Sequence, residues 1–360
     1  MKAAKHGGNI YEIALEKGIP KEVILDFSAN INPFGIPQSL KEALINNLHI
    51  IENYPDPDYR ALTEAIASYH DIETECISVG NGATELIFSL VSCLQSKNSL
   101  ILAPTFSEYE RALNRAGSDV HYYYLKEENE FKIDEGFKNA LNPSIDLLII
   151  CNPNNPTGQF LQKKEMLEIL LHCREHGIRL IVDEAFVDFV EDGEEETMIS
   201  NIQDYKNLYI IRALTKFYAI PGLRLGYAIT SNQHILKKIH DNREPWTINS
   251  FAALAGEIVL KDRDYIEKTK KWLSLEKEIF LKSLEKIEAI KVFRPTANYI
   301  FFRYKKGDRC LKESLLAKDI LIRSCSNYKN LDEHYYRVAI KDRLSNEKLV
   351  QALKEVIYES

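Results

Sequence analysis

The sequence predicts an α/β protein whose strands form a largely parallel sheet with helices on both faces. From residue 76 to residue 230, short apolar segments alternate with segments of helical periodicity. Strands of a parallel sheet are buried on both sides and therefore apolar throughout, and the helices between them cover the two faces. The chain has 360 residues, which is more than a single hydrophobic core usually contains. We therefore also expect one large and one smaller domain.

The expected elements follow one another along the chain. We expect strands at residues 99–103, 120–125, 146–151, 179–182, 208–211 and 225–229, and helices at residues 10–17, 59–69, 83–94, 108–116 and 164–176. A long helical region at residues 250–287, a strand at 299–303, a helix near 311–318 and strand-like runs at 320–325 and 335–340 fit a smaller α/β domain.

Composition excludes several classes of protein. Hydrophobic residues make up 45% of the chain and charged residues 28%, as in ordinary globular proteins. The formal net charge is −7 and no basic stripe alternates with aromatic residues, so a nucleic-acid partner is not expected. No apolar run is long enough for a membrane span, and the N-terminal segment lacks the apolar core of a signal peptide. We therefore expect a cytoplasmic protein without a membrane partner.

The cysteines are scattered and contain no CxxC pair. In a cytosolic chain this distribution is typical of reduced thiols in the core. The residues in question are Cys76, Cys93, Cys151, Cys173, Cys310 and Cys325.

Residues 25–35 predict an irregular segment of defined geometry. Asn30, Asn32, Pro33 and Gly35 all favour turns over regular structure. The segment is either a solvent-exposed loop or, with His6, a set of neutral hydrogen-bonding groups for a small polar ligand. The sequence leaves both interpretations open.

Ligands of parallel α/β sheets bind at the carboxyl ends of the strands, and polar motifs of this chain fall there. Residues 80–84, GNGAT, precede a helix whose free N–H groups and dipole suit an anion, although an ordinary helix cap fits them as well. They match neither the GxGxxG fingerprint nor the Walker loop. Phe106 follows the strand at 99–103, where it either stacks on a planar ring or fills the core.

Two further strand ends carry more specific groups. Asn155 belongs to residues 152–158, NPNNPTG, in which two Asn-Pro steps force a rigid, non-helical turn and leave the amide free to donate. Asp183 follows the apolar residues 178–182. A carboxylate buried there without a partner costs several kcal/mol, so Asp183 needs a cation from the protein or from a ligand. A protonated pyridine nitrogen is such a cation.

Lys216 stands just past the apolar strand at residues 208–211. It is either a surface lysine at a strand end or a partly desolvated amine, whose pKa burial lowers. A neutral amine can bond to a carbonyl carbon. Together, four strand ends offer a phosphate site, a ring donor, a partner for a pyridinium and an amine for an aldehyde, which is the set that pyridoxal phosphate requires.

With these motifs the chain resembles, over nearly its whole length, the fold-type I pyridoxal-phosphate enzymes of the class I/II aminotransferase superfamily. The resemblance implies a large domain with a mostly parallel seven-stranded sheet and a smaller C-terminal α/β domain. It divides the chain into an N-terminal arm that contributes to the small domain (1–45), the large cofactor-binding domain (46–250), an interdomain helical region (251–287) and the small domain (288–360).

The resemblance also implies roles for individual residues. Lys216 would bind the aldehyde of the cofactor, and Asp183 would keep its pyridine nitrogen protonated. Asn155 would hydrogen-bond the 3′ oxygen, and Phe106 would stack on the ring. The residues that would hold the phosphate are Gly82, Ala83, Thr84, Thr215 and Arg224, with Tyr54 reaching it from the partner subunit of a homodimer with shared active sites.

Two positions depart from the pattern of the superfamily. Phe186 stands where a tyrosine is usual, so the 3′ oxygen loses a donor. Ala213 stands where a serine often helps to bind the phosphate. Both departures concern the detailed cofactor contacts and leave the role of Lys216 unchanged.

A narrower resemblance is carried by residues 6–9 (HGGN), 25–33 (LDFSANINP), 183–186 (DEAF), 214–226 (LTKFYAIPGLRLG) and 322–325 (IRSC). These segments are similar to the L-threonine O-3-phosphate decarboxylases of cobalamin biosynthesis, close kin of the histidinol-phosphate aminotransferases. The resemblance implies release of CO2 from L-threonine O-3-phosphate, which gives (R)-1-amino-2-propanol O-phosphate for the nucleotide loop of cobalamin.

Two arginines of the C-terminal part suit such a substrate. Arg323 and Arg337 each lie within an apolar strand-like run, where a guanidinium either snorkels to solvent or binds an anion with two hydrogen bonds. Two of them fit a ligand that carries a phosphate and a carboxylate. By resemblance, the phosphorylated amino acid would be bound by His6, Gly7, Asn30, Asn155, Arg323 and Arg337.

Two other functions stay open on the sequence. An aminotransferase of the histidinol-phosphate type would use the same cofactor residues. A regulatory protein without catalysis could keep the same scaffold, although the presence of both Asp183 and Lys216 argues against it.

Overall fold

The computed structural model describes residues 7–305 and 310–358. The strands are β1 (Leu25–Asp26), β2 (Ile77–Gly80), β3 (Asn98–Ala103), β4 (Asp119–Tyr124), β5 (Leu147–Cys151), β6 (Arg179–Asp183), β7 (Leu208–Ala213), β8 (Gly226–Ile229), β9 (Ile290–Phe293), β10 (Tyr299–Tyr304), β11 (Ile320–Leu321), β12 (Arg323–Ser324) and β13 (Tyr335–Ala339).

Helices separate most of these strands. They are α1 (Ile10–Lys17), α2 (Gln38–Asn46), α3 (Arg60–His70), α4 (Ala83–Leu94), α5 (Ser107–Arg115), α6 (Phe137–Ala140), α7 (Lys163–Glu175), α8 (Gly193–Glu196), α9 (Gln233–Asn242), α10 (Ser250–Val259), α11 (Arg263–Glu285), α12 (Leu311–Leu316) and α13 (Arg343–Tyr358). Short 3₁₀ helices span Lys21–Val23, Leu48–Glu52, Thr74–Cys76, Glu127–Asn129, Val187–Phe189 and Met198–Asn201.

The large sheet has seven strands in the order β2-β8-β7-β6-β5-β3-β4. Every neighbouring pair is parallel except those that involve β8, which runs antiparallel to both β2 and β7. The predicted α/β class with a mostly parallel seven-stranded sheet is therefore confirmed. Sequence reasoning missed β2, a strand of only four residues that contains serine and glycine and lies at the sheet edge.

Side chains of the central strands alternate between two cores. Ile149 and Ile181 pack with α4 and α5 on one face, whereas Leu148 and Leu180 pack with α7 on the other. All four are at most 1% exposed. Because both faces of these strands are buried, their sequences are apolar without alternation, which is why they were recognisable from sequence.

The C-terminal part contains a four-stranded antiparallel sheet in the order β12-β13-β10-β9. Helix α11 packs against β9, α12 packs against β11, and α13 packs against both α11 and α12. A two-stranded parallel sheet pairs β1 with β11, so the N-terminal residues join the C-terminal part. The division of the chain into domains at residues 45, 250 and 287 stays a prediction.

The structure divides two of the predicted segments of the C-terminal part. The helical region at 250–287 is not continuous, because α10 ends at Val259 and α11 begins at Arg263. The Asp262 side chain caps α11 by accepting a hydrogen bond from the Tyr265 N–H at 3.0 Å. The run at 320–325 is likewise two strands, since β11 pairs with β1 and β12 pairs with β13.

The cysteine prediction also needs one correction. Cys310 is exposed, whereas the other cysteines are buried and free. A cysteine's place inside or outside the core depends on tertiary packing, which its local sequence does not reveal.

Among the described residues, no helix combines the length and apolar character that crossing a membrane requires.

Gly226 offers a test of how tightly β8 packs against the start of α4. A Cβ atom at Gly226 would lie 2.7 Å from the Ala83 nitrogen and 2.8 Å from the Arg212 carbonyl oxygen. Because both neighbours are backbone atoms, we expect Gly226→Ala to lower the free energy of unfolding by about 2–3 kcal/mol. Urea denaturation measures the effect.

Gly222→Ala is the matched control. A Cβ atom there would have no neighbour within 4 Å, so we expect a change below about 0.5 kcal/mol. Equal stabilities of the two variants would contradict the close packing at Gly226.

Candidate active site

A cavity of about 450 Å³ opens at the carboxyl ends of β3, β5, β6 and β7, where the sequence predicts a ligand site. Apolar walls and a few polar groups form its lining, as in most small-molecule sites. The predicted site residues that line it are Gly7, Asn30, Ala83, Thr84, Phe106, Asn155, Asp183, Thr215, Lys216, Arg224 and Arg337. The fold thus brings these residues together, while the role of each stays a prediction.

Two other predicted site residues bear on the same cavity. Gly82 does not line it but packs against Arg224, since a Cβ atom at Gly82 would lie 2.7 Å from the Arg224 Nη2 atom. His6 falls outside the described residues, so its predicted contact with the substrate stays open.

Arg323 and Tyr54 lie away from the cavity lining. Arg323 is 6% exposed and donates a hydrogen bond to Asn327 Oδ1 at 2.8 Å. Tyr54 is 78% exposed and stacks on Trp246 with 4.4 Å between ring centroids. Neither residue is part of the cavity lining of this chain, so the predicted contacts of Arg323 with the substrate and of Tyr54 with the cofactor phosphate stay predictions.

Asp183 is a buried carboxylate at the end of β6 with no cationic partner among the described residues. It is 3% exposed and accepts hydrogen bonds from the Tyr109 hydroxyl at 2.7 Å and from the Ala185 N–H at 3.0 Å. Burial raises the pKa of Asp183 to about 6, against the opposing effect of these two donors. The carboxylate is therefore mostly ionised at pH 7, and the cavity can satisfy it with a ligand cation.

Lys216 lies in the turn after β7, on the cavity wall. Burial, together with the positive charges of Arg337 and Arg224, lowers the pKa of this lysine to about 8. Asp26 has a smaller effect in the opposite direction. A substantial fraction of the amine is thus neutral near pH 8, which is the form that bonds to a carbonyl carbon.

Asn32 fixes the turn that carries Lys216. The Asn32 N–H donates to the Lys216 carbonyl at 3.1 Å, and its side-chain amide donates to the Phe217 carbonyl and to Thr269 Oγ1, both at 2.9 Å. Asn32 is 2% exposed, so the segment at 25–35 is not a solvent-exposed loop at this point. Its buried polar groups instead hold the lysine turn in place.

Asn155 presents its amide to the cavity in one orientation. Its Oδ1 atom accepts hydrogen bonds from the Tyr328 hydroxyl at 3.1 Å and from the Arg337 guanidinium. Arg337 is also anchored through a hydrogen bond to the Ser28 carbonyl at 2.9 Å. With the oxygen occupied, the Asn155 Nδ2 group is left to donate into the cavity.

The start of α4 and Arg224 form a positively charged corner of the cavity. Gly82 precedes α4 with a φ of 87° and Arg224 has a φ of 63°, both in the left-handed region. Such a backbone is costly for a residue other than glycine and is concentrated at functional sites. The helix N-terminus, the guanidinium and the hydroxyls of Thr84 and Thr215 together suit a phosphate group.

Phe186 and Ala213, the two departures from the superfamily pattern, both line the cavity. Neither side chain offers a hydrogen bond there. The Phe186 ring packs edge-on against Tyr299, with 5.1 Å between centroids. The remaining polar groups still include a carboxylate for a pyridinium, an amine for an aldehyde, a ring donor and a phosphate corner, so the residues present fit pyridoxal phosphate.

Sequence reasoning missed Tyr109, Tyr328 and the structural role of Asn32. Tyr109 lies in the first turn of α5, three residues after Phe106, but nothing in that spacing shows that its hydroxyl reaches Asp183. Tyr328 and Asn32 make contacts with residues more than 170 positions away in the chain. No local pattern signals such contacts.

The chain matches the family model described as aminotransferase class I and II over residues 22–355. A protein of Salmonella typhimurium described as threonine-phosphate decarboxylase is 42% identical over 352 residues, which cover 98% of this chain and 96% of that protein. A longer Leptospira interrogans protein, described as the adenosylcobalamin biosynthesis bifunctional protein CobDQ, is 33% identical over 99% of this chain and 42% of its own length.

A solved structure described as the histidinol-phosphate aminotransferase from Clostridium acetobutylicum superposes with a TM-score of 0.87. It is 39% identical and covers 92% of this chain and 99% of that chain. The fold and the family are thus common to proteins described as decarboxylases and as aminotransferases.

Replacement of Lys216 by methionine tests the desolvated amine. The pKa of Lys216 is lowered from 10.5 to about 8 in the folded protein, so the unfolded chain binds more protons between these pH values. The free energy of unfolding of the cofactor-free wild type should therefore rise from pH 8 to pH 10.5. Below pH 8 the amine is protonated in both states, so the folded protein bears the full cost of burying its charge. We expect Lys216→Met to be more stable at pH 7 by about 3 kcal/mol.

The difference between the two proteins should vanish above pH 10.5, as measured by chemical denaturation across the pH range. Lys41→Met on the exposed side of α2 is the control, for which we expect no such pH-dependent gain. A Lys216→Met protein that is no more stable than wild type at pH 7 would contradict the desolvation of this amine.

Proposed function

The chain belongs to the aminotransferase class I and II family, and from this we infer that it is a pyridoxal-phosphate-dependent decarboxylase of L-threonine O-3-phosphate. The observation that carries the inference is the 42% identity to a threonine-phosphate decarboxylase over 98% of the chain. The product is (R)-1-amino-2-propanol O-phosphate, a precursor of the nucleotide loop of cobalamin. This product agrees with the similarity to the Leptospira interrogans protein that is described as an adenosylcobalamin biosynthesis protein.

The residues of the cavity divide the binding of the cofactor among them. The Lys216 amine would hold the aldehyde, Asp183 would pair with the protonated pyridine nitrogen, and the Asn155 Nδ2 group would donate to the 3′ oxygen. Phe106 would stack on the ring. When bound, pyridoxal phosphate takes up the electron pair that remains when a bond to the substrate Cα breaks. The residues that hold its phosphate are Gly82, Ala83, Thr84, Thr215 and Arg224.

Asp183 is the group that tunes this chemistry. Its pKa of about 6 leaves it ionised at pH 7, and a carboxylate in a buried site strongly favours a proton on a facing ring nitrogen. The hydrogen bond from the Tyr109 hydroxyl at 2.7 Å keeps the carboxylate charged and oriented. Asp183 thus strengthens the ring's capacity to accept electrons without itself moving a proton.

The arginines select the reaction by orienting the substrate. Only the Cα bond held perpendicular to the conjugated plane of the cofactor breaks, so decarboxylation requires the Cα–carboxylate bond in that position and amino transfer requires the Cα–H bond. Arg337 and the N-terminal residues Gly7 and Asn30, which line the cavity, are assigned to the two anionic ends of the substrate. Arg323, which is not part of the lining, and His6, which lies outside the described residues, are assigned to the substrate by the resemblance alone. This is an orientation effect, which is worth several kcal/mol of the barrier in enzymes.

Lys216 completes the reaction at Cα. When CO2 has left, Cα needs a proton, and an amine with a pKa of about 8 can hold one at neutral pH and release it. We assign this transfer to the Lys216 Nζ atom. The same amine would hold the cofactor aldehyde again once the product is released.

The active protein is a cytoplasmic homodimer in this proposal. Tyr54 is 78% exposed and lies outside the cavity of its own subunit. We assign it to the cofactor phosphate of the partner subunit, so each site takes residues from both subunits. The domain boundaries at residues 45, 250 and 287 belong to the same proposal.

A second candidate function is amino transfer from histidinol phosphate. It is favoured by the solved structure described as a histidinol-phosphate aminotransferase, which is 39% identical to this chain. The same lysine, aspartate and phosphate corner would serve both reactions, and the pose of the substrate alone would differ.

Product analysis separates the two candidates. We expect purified protein with pyridoxal phosphate to release CO2 from L-threonine O-3-phosphate and to form 1-amino-2-propanol O-phosphate, detected by mass spectrometry. With histidinol phosphate and 2-oxoglutarate we expect no glutamate. Glutamate formation without CO2 release would refute the decarboxylase and establish the second candidate. Lys216→Ala is the control and should abolish turnover of either substrate.

A further inference from the structure

The distance between the Asp183 carboxylate and the Lys216 amine depends on how the ends of β6 and β7 are held. Backbone pairing accounts for part of it, because Asp183 lies opposite Ile211 and the Glu184 N–H donates to the Ile211 carbonyl at 2.8 Å. Lys216 itself lies beyond the ladder, three residues after the end of β7 at Ala213. Contacts outside the ladder therefore contribute to the last part of the arrangement, among them the hydrogen bond from the Asn32 N–H to the Lys216 carbonyl at 3.1 Å.

Arg212 lies on the face of the sheet opposite the cavity. Side chains alternate along a strand, so Asp183 and Ala213 line the cavity whereas their neighbours Glu184 and Arg212 point away from it. Arg212 instead borders a second cavity behind the sheet, which Tyr69 also lines. It contacts neither the cofactor cavity nor any residue assigned to the substrate.

The Arg212 guanidinium joins β7 to the chain that follows Asp183. Arg212 is 1% exposed, and its Nη1 atom donates to Glu184 Oε2 at 3.1 Å. Its Nη2 atom donates to Asp188, in the 3₁₀ helix after β6. Glu184 is fixed in turn by the Met198 N–H, which donates to its Oε1 atom at 3.0 Å. One buried cation thus holds two carboxylates next to Asp183.

We propose that Arg212 is a positioning residue that sets the separation of the Asp183 carboxylate and the Lys216 amine from behind the sheet. The inference rests on the proposed function, in which both groups act on one cofactor. Arg212 lies one residue before the end of β7 and four before Lys216, so a shift of its strand moves the amine. Misplacement of a reacting group by about 1 Å can reduce the rate by roughly 100-fold.

If Arg212 only stabilised the fold, its removal would change the stability of the protein and not the geometry of the site. A buried ion pair is often no more stabilising than neutral side chains of similar volume, whereas removal of one partner alone leaves a buried charge and destabilises strongly. A variant that neutralises all three groups together should therefore keep its stability and lose only the positioning. That variant is Arg212→Met/Glu184→Gln/Asp188→Asn.

We expect the triple variant to show a kcat lower by about 10- to 100-fold, with KM within about threefold of wild type, because its substrate contacts are intact. Arg343→Met/Glu276→Gln is the matched control, since it neutralises both partners of another arginine–carboxylate contact, in which Arg343 donates to the buried Glu276 at 2.9 Å outside the cavity lining. The control should keep the wild-type kcat. A triple variant with the wild-type kcat would overturn the proposal.

A second measurement uses the cofactor-free protein. Acetic anhydride labelling of Lys216 across the pH range, read by peptide mass spectrometry, reports the protonation of its amine. The wild-type midpoint should lie near the lowered pKa of about 8. In the triple variant we expect a higher midpoint, because a lysine turn that is less firmly held admits more water. An unchanged midpoint would count against the proposal.

Asp188→Asn alone keeps the test decisive if the triple variant does not fold. It removes one of the two anchors, and we expect a smaller loss of kcat and a smaller rise of the Lys216 midpoint. Wild-type values of both would overturn the proposal. A wild-type protein that binds the cofactor but releases no CO2 would refute the proposed function instead, and the Lys216 midpoints would still decide the role of Arg212.

Discussion

A carboxylate and an amine at the ends of two adjacent strands, each without an ionic partner among the described residues, are the constraint on which this structure depends. Burial raises the pKa of Asp183 to about 6 and lowers that of Lys216 to about 8. Both shifts record a desolvation cost that the folded chain tolerates. Such a cost is expected where a bound cofactor supplies a cationic ring that pairs with the carboxylate and an aldehyde that bonds to the amine. The two groups therefore favour one class of cofactor in this cavity.

The surrounding structure keeps these groups in place through buried polar contacts. Asn32 binds the backbone of the Lys216 turn, and the Tyr109 hydroxyl binds Asp183. Arg337 and Tyr328 occupy the oxygen of Asn155 and so orient its amide. Each contact satisfies a buried polar group that would otherwise destabilise the fold, so the same hydrogen bonds that permit folding also arrange the site.

The fold could be predicted because its central strands are buried on both sides and therefore apolar, and the site motifs could be placed because they follow those strands. Glycine, proline and charged residues mark the strand ends in the local sequence. The contacts of Tyr109, Asn32 and Tyr328 could not be derived in this way, since they join residues 74, 185 and 173 positions apart. The break between α10 and α11 was not located, because it is defined by the hydrogen bond from the Tyr265 N–H to the Asp262 side chain, which the sequence alone does not show.

Reduction of the holoenzyme with borohydride, followed by peptide mapping, tests the central claim most directly. Borohydride makes the bond between a lysine and the cofactor aldehyde permanent, so the modified residue can be identified by mass spectrometry. We predict that the cofactor is found on the peptide that contains Lys216 and on no other. Incorporation at another lysine, or none under conditions in which the protein is folded, would contradict the assignment of this cavity and the function built on it.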